Sequence, residues 1–204
     1  MPSRNIIKVN VPESYYHVYA RGTNKQKLFL EANDYKYFLG LFERYLSKTP
    51  AIDRMGTVYP HFNGKIELLT YCLMQNHFHL LLYQVETSAM EKLMRSIMTS
   101  YSRYFNLKYK RTGSLFESRY KASLIDQDAY LQHISRYIHL NPRGWQAYRY
   151  SSLLHYKSGD PPEWLKPDKV LDLFNGSEDY LAFVADYEEH KQILDELKYH
   201  LADR

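Results

Sequence analysis

Between Lys65 and Tyr83 two apolar runs of strand length, Lys65–Met74 and His77–Tyr83, flank the polar pair Gln75-Asn76. Runs of this kind joined by so tight a connection read as an antiparallel pair of strands. The second run opens His77-Phe78-His79. Side chains alternate faces along a strand, so His77 and His79 point the same way and Phe78 points to the opposite face. Two imidazoles side by side can share a metal ion or a phosphate; equally, they can be the wet face of an amphipathic strand. The pair alone leaves both readings open.

The rest of the chain supplies partners for this hairpin. Ser14–Arg21 is aromatic and β-branched, ends at Gly22 and reads as a first strand. Asn33 and Asp34 can cap a helix whose apolar positions Tyr35, Phe38, Leu39, Phe42, Tyr45 and Leu46 keep the helical period, with Pro50 beyond it. Ala51–Gly64, with Gly56 and Pro60, reads as an irregular loop or loose hairpin. Ser88 and Glu91 have capping-box spacing ahead of a helix that buries Met90, Leu93, Ile97, Tyr101, Tyr104 and Phe105. Ser118–Asp126 reads as a fourth strand, and Asp126 can cap a helix over Gln127–Leu140 that Pro142 ends. The order β-α-β-β-α-β-α predicts an α+β fold: a ferredoxin-like, split βαβ antiparallel sheet with helices packed on it and one helix more. After Tyr150 the chain changes character, with breaks at Gly159-Asp-Pro-Pro and Lys166-Pro-Asp and a polar helix over 177–201. Residues 1–150 are expected as the main domain and 151–204 as an accessory C-terminal helical region.

Composition narrows the function classes. The 204 residues are 45% hydrophobic and 25% charged, a globular balance. A formal charge of +4 permits nucleic acid without demanding it. The 21 tyrosines offer many stacking surfaces for unpaired bases and many possible phenolic nucleophiles. The lone Cys72 lies in an apolar run and reads as a small core residue. No run reaches the ~18 apolar residues of a membrane span, and residues 1–10 carry no signal-peptide core, so a cytoplasmic protein is expected.

A second motif stands on the Gln127–Leu140 helix: Arg136-Tyr137-Ile138-His139-Leu140-Asn141-Pro142. Leu131, Ile134 and Ile138 form its inward stripe, which leaves Tyr137 and Asn141, at i and i+4, as neighbours on another face. The proline after Asn141 biases that residue away from helical backbone. If this face packs beside the histidine strand, a phenol and an amide oxygen join two imidazoles. From the residues alone Tyr120, Tyr130 and Tyr137 remain rival nucleophiles, His139 reads as structural or exposed, and His17 as an ordinary strand residue.

Together these stretches resemble the single-tyrosine transposases with a histidine–hydrophobe–histidine strand, and within them the REP-associated tyrosine transposases. Tyr71-Cys72-Leu73-Met74-Gln75-Asn76-His77-Phe78-His79-Leu80-Leu81 follows that family's pattern except that Gln75 replaces a proline. Tyr15–Gly22 is similar to its opening strand, Tyr101–Phe105 with Gly113–Tyr120 to its basic helix-to-strand segment and Arg136–Pro142 to its nucleophile helix. The resemblance implies that His77, His79 and Asn141 hold a divalent metal ion and that Tyr137 is the nucleophile. The ion would be Mg²⁺ or Mn²⁺, with imidazole better tolerated by Mn²⁺. It further implies a metal-dependent endonuclease and strand transferase, acting as monomer or homodimer near hairpins of repetitive palindromic single-stranded DNA, through a 5′-phosphotyrosine. Arg21, Lys25, Arg103, Lys110, Arg111, Arg119 and Lys121, interleaved with aromatic residues, are candidates for the nucleic-acid surface. The alternative function is a non-catalytic binder of single-stranded or structured nucleic acid on the same fold.

Overall fold

A computed structural model describes residues 10–125 and 127–186. Its four strands, β1 (Ser14–Arg21), β2 (Ile66–Met74), β3 (His77–Gln84) and β4 (Lys121–Ile125), form one antiparallel sheet in the order β2-β3-β1-β4. Helix α1 (Ala32–Leu46) links β1 to β2, and α2 (Ala89–Lys108) links β3 to β4. This is the expected split βαβ arrangement, with β1 and β3 paired at the centre.

Alternation along the central strands sorts side chains into two layers. On one face Val18, Ala20, Phe78, Leu80 and Leu82 meet Phe38 and Phe42 of α1 and Leu93, Ile97 and Tyr101 of α2. On the other, Cys72, Leu81 and Ile125 meet Leu131, Ile134 and Ile138 of α3 (Asp128–Leu140). Each of the Val, Leu, Ile and Phe side chains among them, fully buried, contributes about 1.5–3 kcal/mol. The short helices α4 (Leu153–Ser158), α5 (Asp168–Leu171) and α6 (Ser177–Ala185) complete this second layer through Leu153, Tyr156, Val170, Tyr180 and Val184. Residues 150–152 and 166, from the same C-terminal part of the chain, run along the outer side of β2. Leu73 N donates to Tyr150 O at 2.9 Å, Ser152 N to Tyr71 O at 2.9 Å and Lys166 N to Leu68 O at 2.8 Å. The end of the expected 177–201 helix lies outside the described residues, as does Asp126 with its expected capping role.

Several local expectations are revised. Ser88 sits at φ +67° and makes no capping bond to α2. Its hydroxyl instead accepts from Asn10 Nδ2 at 2.8 Å, its N–H donates to Asn10 Oδ1 at 2.8 Å, and Gln84 Oε1 accepts the Met90 N–H at 3.0 Å. The donors at the start of α2 are thus met by Asn10, distant in sequence, and by Gln84 and Glu86 just ahead of the helix. At α1 a capping box forms between Glu31 and Asp34. The fourth strand starts at Lys121, later than the expected Ser118. Leu39 and Tyr104 pack at the margin of the core.

His139 is fully buried, with Nδ1 2.6 Å from Tyr180 Oη and Nε2 2.7 Å from Ser152 Oγ. Burial lowers its pKa to about 3, so the ring is neutral and uses one nitrogen as donor and the other as acceptor. It joins α3 to α6 and to the start of α4. His139→Leu removes one hydrogen bond from each of two buried hydroxyls, which keep Tyr71 and Ser135 as their other partners; it is expected to cost about 1–2 kcal/mol, a fall of roughly 2–8 °C in Tm by thermal melting.

Candidate active site

The turn that presents the histidines is fixed from beneath. Leu28 N and Phe29 N both donate to Gln75 O, at 2.8 and 3.1 Å, and Gly22 N donates to Asn76 O at 2.9 Å. Gly22 is required here, because a Cβ would collide with the Gln26 carbonyl oxygen. The register of β1 on β3 sets Arg21 opposite His77, Tyr19 opposite His79 and His17 opposite Leu81. Residues opposite one another share a face, so His17, Tyr19, Arg21, His77 and His79 all project toward α3.

Helix α3 closes the site from above. The ring of Tyr137 stands edge-on to His79, with centroids 5.5 Å apart and planes at 81°, and to His17 at 6.0 Å and 90°. Asn141 keeps helical backbone (φ −58°, ψ −43°) despite the following proline. It therefore stays on the face of Tyr137, one turn on, and its Oδ1 lies 3.2 Å from His77 Nε2. The two sequence motifs, one on the strand and one on the helix, meet here. Of the rival phenols, Tyr120 is buried in the layer of α1 and α2, on the far side of the sheet, and burial pushes its pKa up to about 12. Tyr130 packs at the margin of the α3 layer.

His17 is the residue that sequence reasoning passed over. It is fully buried, and its Nε2 lies 2.9 Å from His79 Nδ1. The ring planes differ by 10° with centroids 5.1 Å apart, the geometry of two rings joined edge to edge by one hydrogen bond rather than stacked. Desolvation lowers the His17 pKa to about 3 and takes His79 well below its ordinary value, with His17 and His77 adding to the latter. Both rings are therefore neutral near pH 7. The available signal was the alternation Tyr15-His17-Tyr19-Arg21, which puts His17 on one face with the basic end of its strand.

These donors fit a weakly held cation. Asn76 Oδ1 lies 2.7 Å from His77 Nδ1. When that nitrogen carries the proton, His77 Nε2 and Asn141 Oδ1 turn lone pairs toward each other across 3.2 Å. That gap is close to the ~3 Å edge of an octahedron whose ligands stand ~2.1 Å from the ion. Among the described residues no three His, Cys, Asp or Glu side chains gather around a possible ion. An ion here would have only neutral protein donors, a set that leaves its charge to be balanced by phosphate.

The basic candidates divide between two places. Arg21, Arg119 and Lys121 line one cleft with Tyr19 and Glu117. Arg21 Nε donates to Glu117 Oε2 at 2.8 Å, which holds the Glu117 carboxyl below its ordinary range. Lys121 Nζ stands 5.5 Å from the Tyr19 ring, and that ring packs against His17 at 5.3 Å and His79 at 5.8 Å. The cleft is thus continuous with the histidines. Lys25 is exposed in the turn after β1, its carbonyl 3.4 Å from Asn76 Nδ2. Arg103 is exposed on α2, whose helix packs on the opposite face of the sheet. Lys110 and Arg111 follow the end of α2, and Arg111 lies 5.5 Å from the Phe105 ring. Cys72 is buried, as expected, and desolvation raises its thiol pKa. Among the described residues no helix is long and apolar enough to cross a membrane.

Residues 60–141, which contain both halves of the site, match the sequence model of the family described as IS200-like transposases. The fold is also that of a particular solved protein, a REP-associated tyrosine transposase bound to a REP hairpin. That match has a TM-score of 0.57 at 11% identity and covers 80% of this chain and 92% of the other. A search of curated proteins finds no match.

Proposed function

We propose that this chain is a transposase-type, metal-dependent endonuclease and strand transferase that cuts single-stranded DNA near hairpins through Tyr137. The observation that carries this reading is that α3 sets the Tyr137 ring against His79 while its next turn sets Asn141 against His77. The match to IS200-like transposases and the fold shared with a transposase bound to a REP hairpin support it. In the reaction the Tyr137 oxygen attacks phosphorus, the bond from phosphorus to the 3′-oxygen breaks, and a 5′-phosphotyrosine forms. The proton lost by the phenol returns through solvent to the leaving oxygen, which becomes a free 3′-hydroxyl. Attack by a 3′-hydroxyl on the phosphotyrosine reverses the step without ATP. His77, His79 and Asn141 would hold Mg²⁺ or Mn²⁺, which when bound neutralises and orients the phosphate. Arg21, Lys25, Arg119 and Lys121 would guide the strand toward it, with Arg103, Lys110 and Arg111 available to a longer duplex or hairpin.

The test is to incubate the protein with 3′-end-labelled, hairpin-bearing single-stranded DNA and Mn²⁺ and to run the products under denaturing conditions. A labelled band at the mass of the protein plus DNA, abolished by chelator, is the expected result; its absence with intact protein would overturn the proposal in favour of a non-catalytic binder. In the same assay His77→Ala is expected to lower cleavage at least ~100-fold and to change hairpin affinity, measured without metal, less than about threefold.

A further inference from the structure

We infer that His17 is a positioning residue for the metal site: it accepts the Nδ1 proton of His79 and so turns the Nε2 lone pair of His79 toward the ion. This deepens the proposed function and rests on its assignment of His79 as a ligand. The contact that carries it is the 2.9 Å approach of His17 Nε2 to His79 Nδ1 between nearly coplanar buried rings. One proton lies between these nitrogens, and each neutral ring carries one proton in all, so only two arrangements exist. If His17 donates, His79 keeps its proton on Nε2 and has no lone pair to offer an ion there. If His79 donates, its Nε2 is free to ligate and the proton of His17 moves to Nδ1. Both arrangements hold two protons, so the exchange between them is balanced without gain or loss from solvent.

The surroundings suit a residue with this role. Among the described residues the buried His17 Nδ1 has no hydrogen-bond partner, so none of them dictates which nitrogen of His17 bears the proton. The ring is held by Tyr19 at 5.3 Å on its own strand and by the edge contact with Tyr137 at 6.0 Å, so it cannot turn away from His79 without disturbing both. Ligating histidines generally fix their second nitrogen on a carboxylate or carbonyl, and such supports commonly change metal affinity by 10–100-fold. Here the acceptor is a neutral imidazole on the adjacent central strand, an arrangement that orients the ligand without adding negative charge to the site.

The decisive measurement is Mn²⁺ affinity of the metal-free protein, followed by electron paramagnetic resonance, for wild type, His17→Gln and His17→Leu. Leucine should fill the buried site but removes the acceptor, and is expected to weaken Mn²⁺ binding at least ~10-fold. Glutamine retains an acceptor and is expected to stay within about threefold of wild type. Equal affinity for the leucine variant, equal loss in both variants, or no saturable Mn²⁺ binding by wild type would each overturn the inference. Should either variant fail to fold, imidazole ¹⁵N spectra of the unmutated, Mg²⁺-saturated protein decide: a proton on His79 Nδ1 supports the inference, and one on Nε2 overturns it. Because these readouts involve no DNA, loss of the phosphotyrosine adduct would sink the proposed reaction while leaving the His17 result to stand or fall separately.

Discussion

Tyr137→Phe is expected to abolish the covalent protein–DNA adduct and to lower metal-dependent strand cleavage by at least ~10³-fold, with fold and hairpin binding preserved. The substitution removes one oxygen and leaves the ring, so the edge contacts with His79 and His17 remain and Tm is expected to move by no more than about 2–3 °C. A nucleophile differs from a packing residue in this respect. Losing the attacking atom removes the reaction path itself, whereas losing a contact only weakens it. Single-turnover cleavage of labelled DNA, with affinity measured in parallel, reads both quantities. An adduct that persists in Tyr137→Phe would move the nucleophile to another residue.

The largest stability effect is expected far from the site, at Asp34. Its carboxylate is fully buried at the start of α1 and bonds to Lys108 Nζ at 2.6 Å, Tyr109 Oη at 2.7 Å and Tyr104 Oη at 3.0 Å. It also accepts the N–H groups of Leu30 and Glu31 at 2.8 and 3.1 Å. Asp34→Ala leaves these donors and the Lys108 ammonium without their shared acceptor, and is expected to cost about 3–5 kcal/mol by urea denaturation. Desolvation pushes the Asp34 pKa up, but the bonds from Lys108, Tyr109, Leu30 and Glu31 together outweigh it, and the net shift is downward. A carboxyl with a depressed folded-state pKa stabilises the fold above its unfolded value, about 3.9, and that contribution is lost as pH falls through the folded value. Wild type should therefore lose stability between about pH 4 and the folded pKa, and Asp34→Ala should show a flatter profile in that window.

What could be read in the chain follows from how local each feature is. Strands β1, β2 and β3 and the Gln75-Asn76 turn are written in contiguous apolar runs, and their order sufficed for the sheet. Tyr137 and Asn141 were legible as one face of a helix because spacing alone fixes them. His17 was not, since it meets His79 only through the register that sets Val18 opposite Leu80, and nothing within Ser14–Arg21 specifies a register. The start of α2 failed for a similar reason. Ser88 and Glu91 have the right spacing, but Asn10 and Gln84 reach the free donors first, and no local rule places those two side chains there. The basic residues look alike in sequence, and only the layering separates Arg21, Arg119 and Lys121, which share a cleft beside the histidines, from Arg103 on the far layer.

The strapping of β2 by residues 150–152 and 166 has a consequence for self-association. An unpaired strand edge is a template on which another chain can add, and β2, the longer outer strand, has that edge sealed at Leu68, Tyr71 and Leu73 by its own C-terminal segment. The opposite margin is β4, five residues long, with Lys121 as its first residue and Arg119 just ahead of it. Short length and positive charge are the two features that most discourage strand addition, so the sheet is closed on one side by covering and guarded on the other by repulsion. Truncation before Tyr150 would therefore do more than remove helices: it would uncover the edge of a nine-residue β2 lined with Leu, Tyr and Cys and leave it open to strand addition.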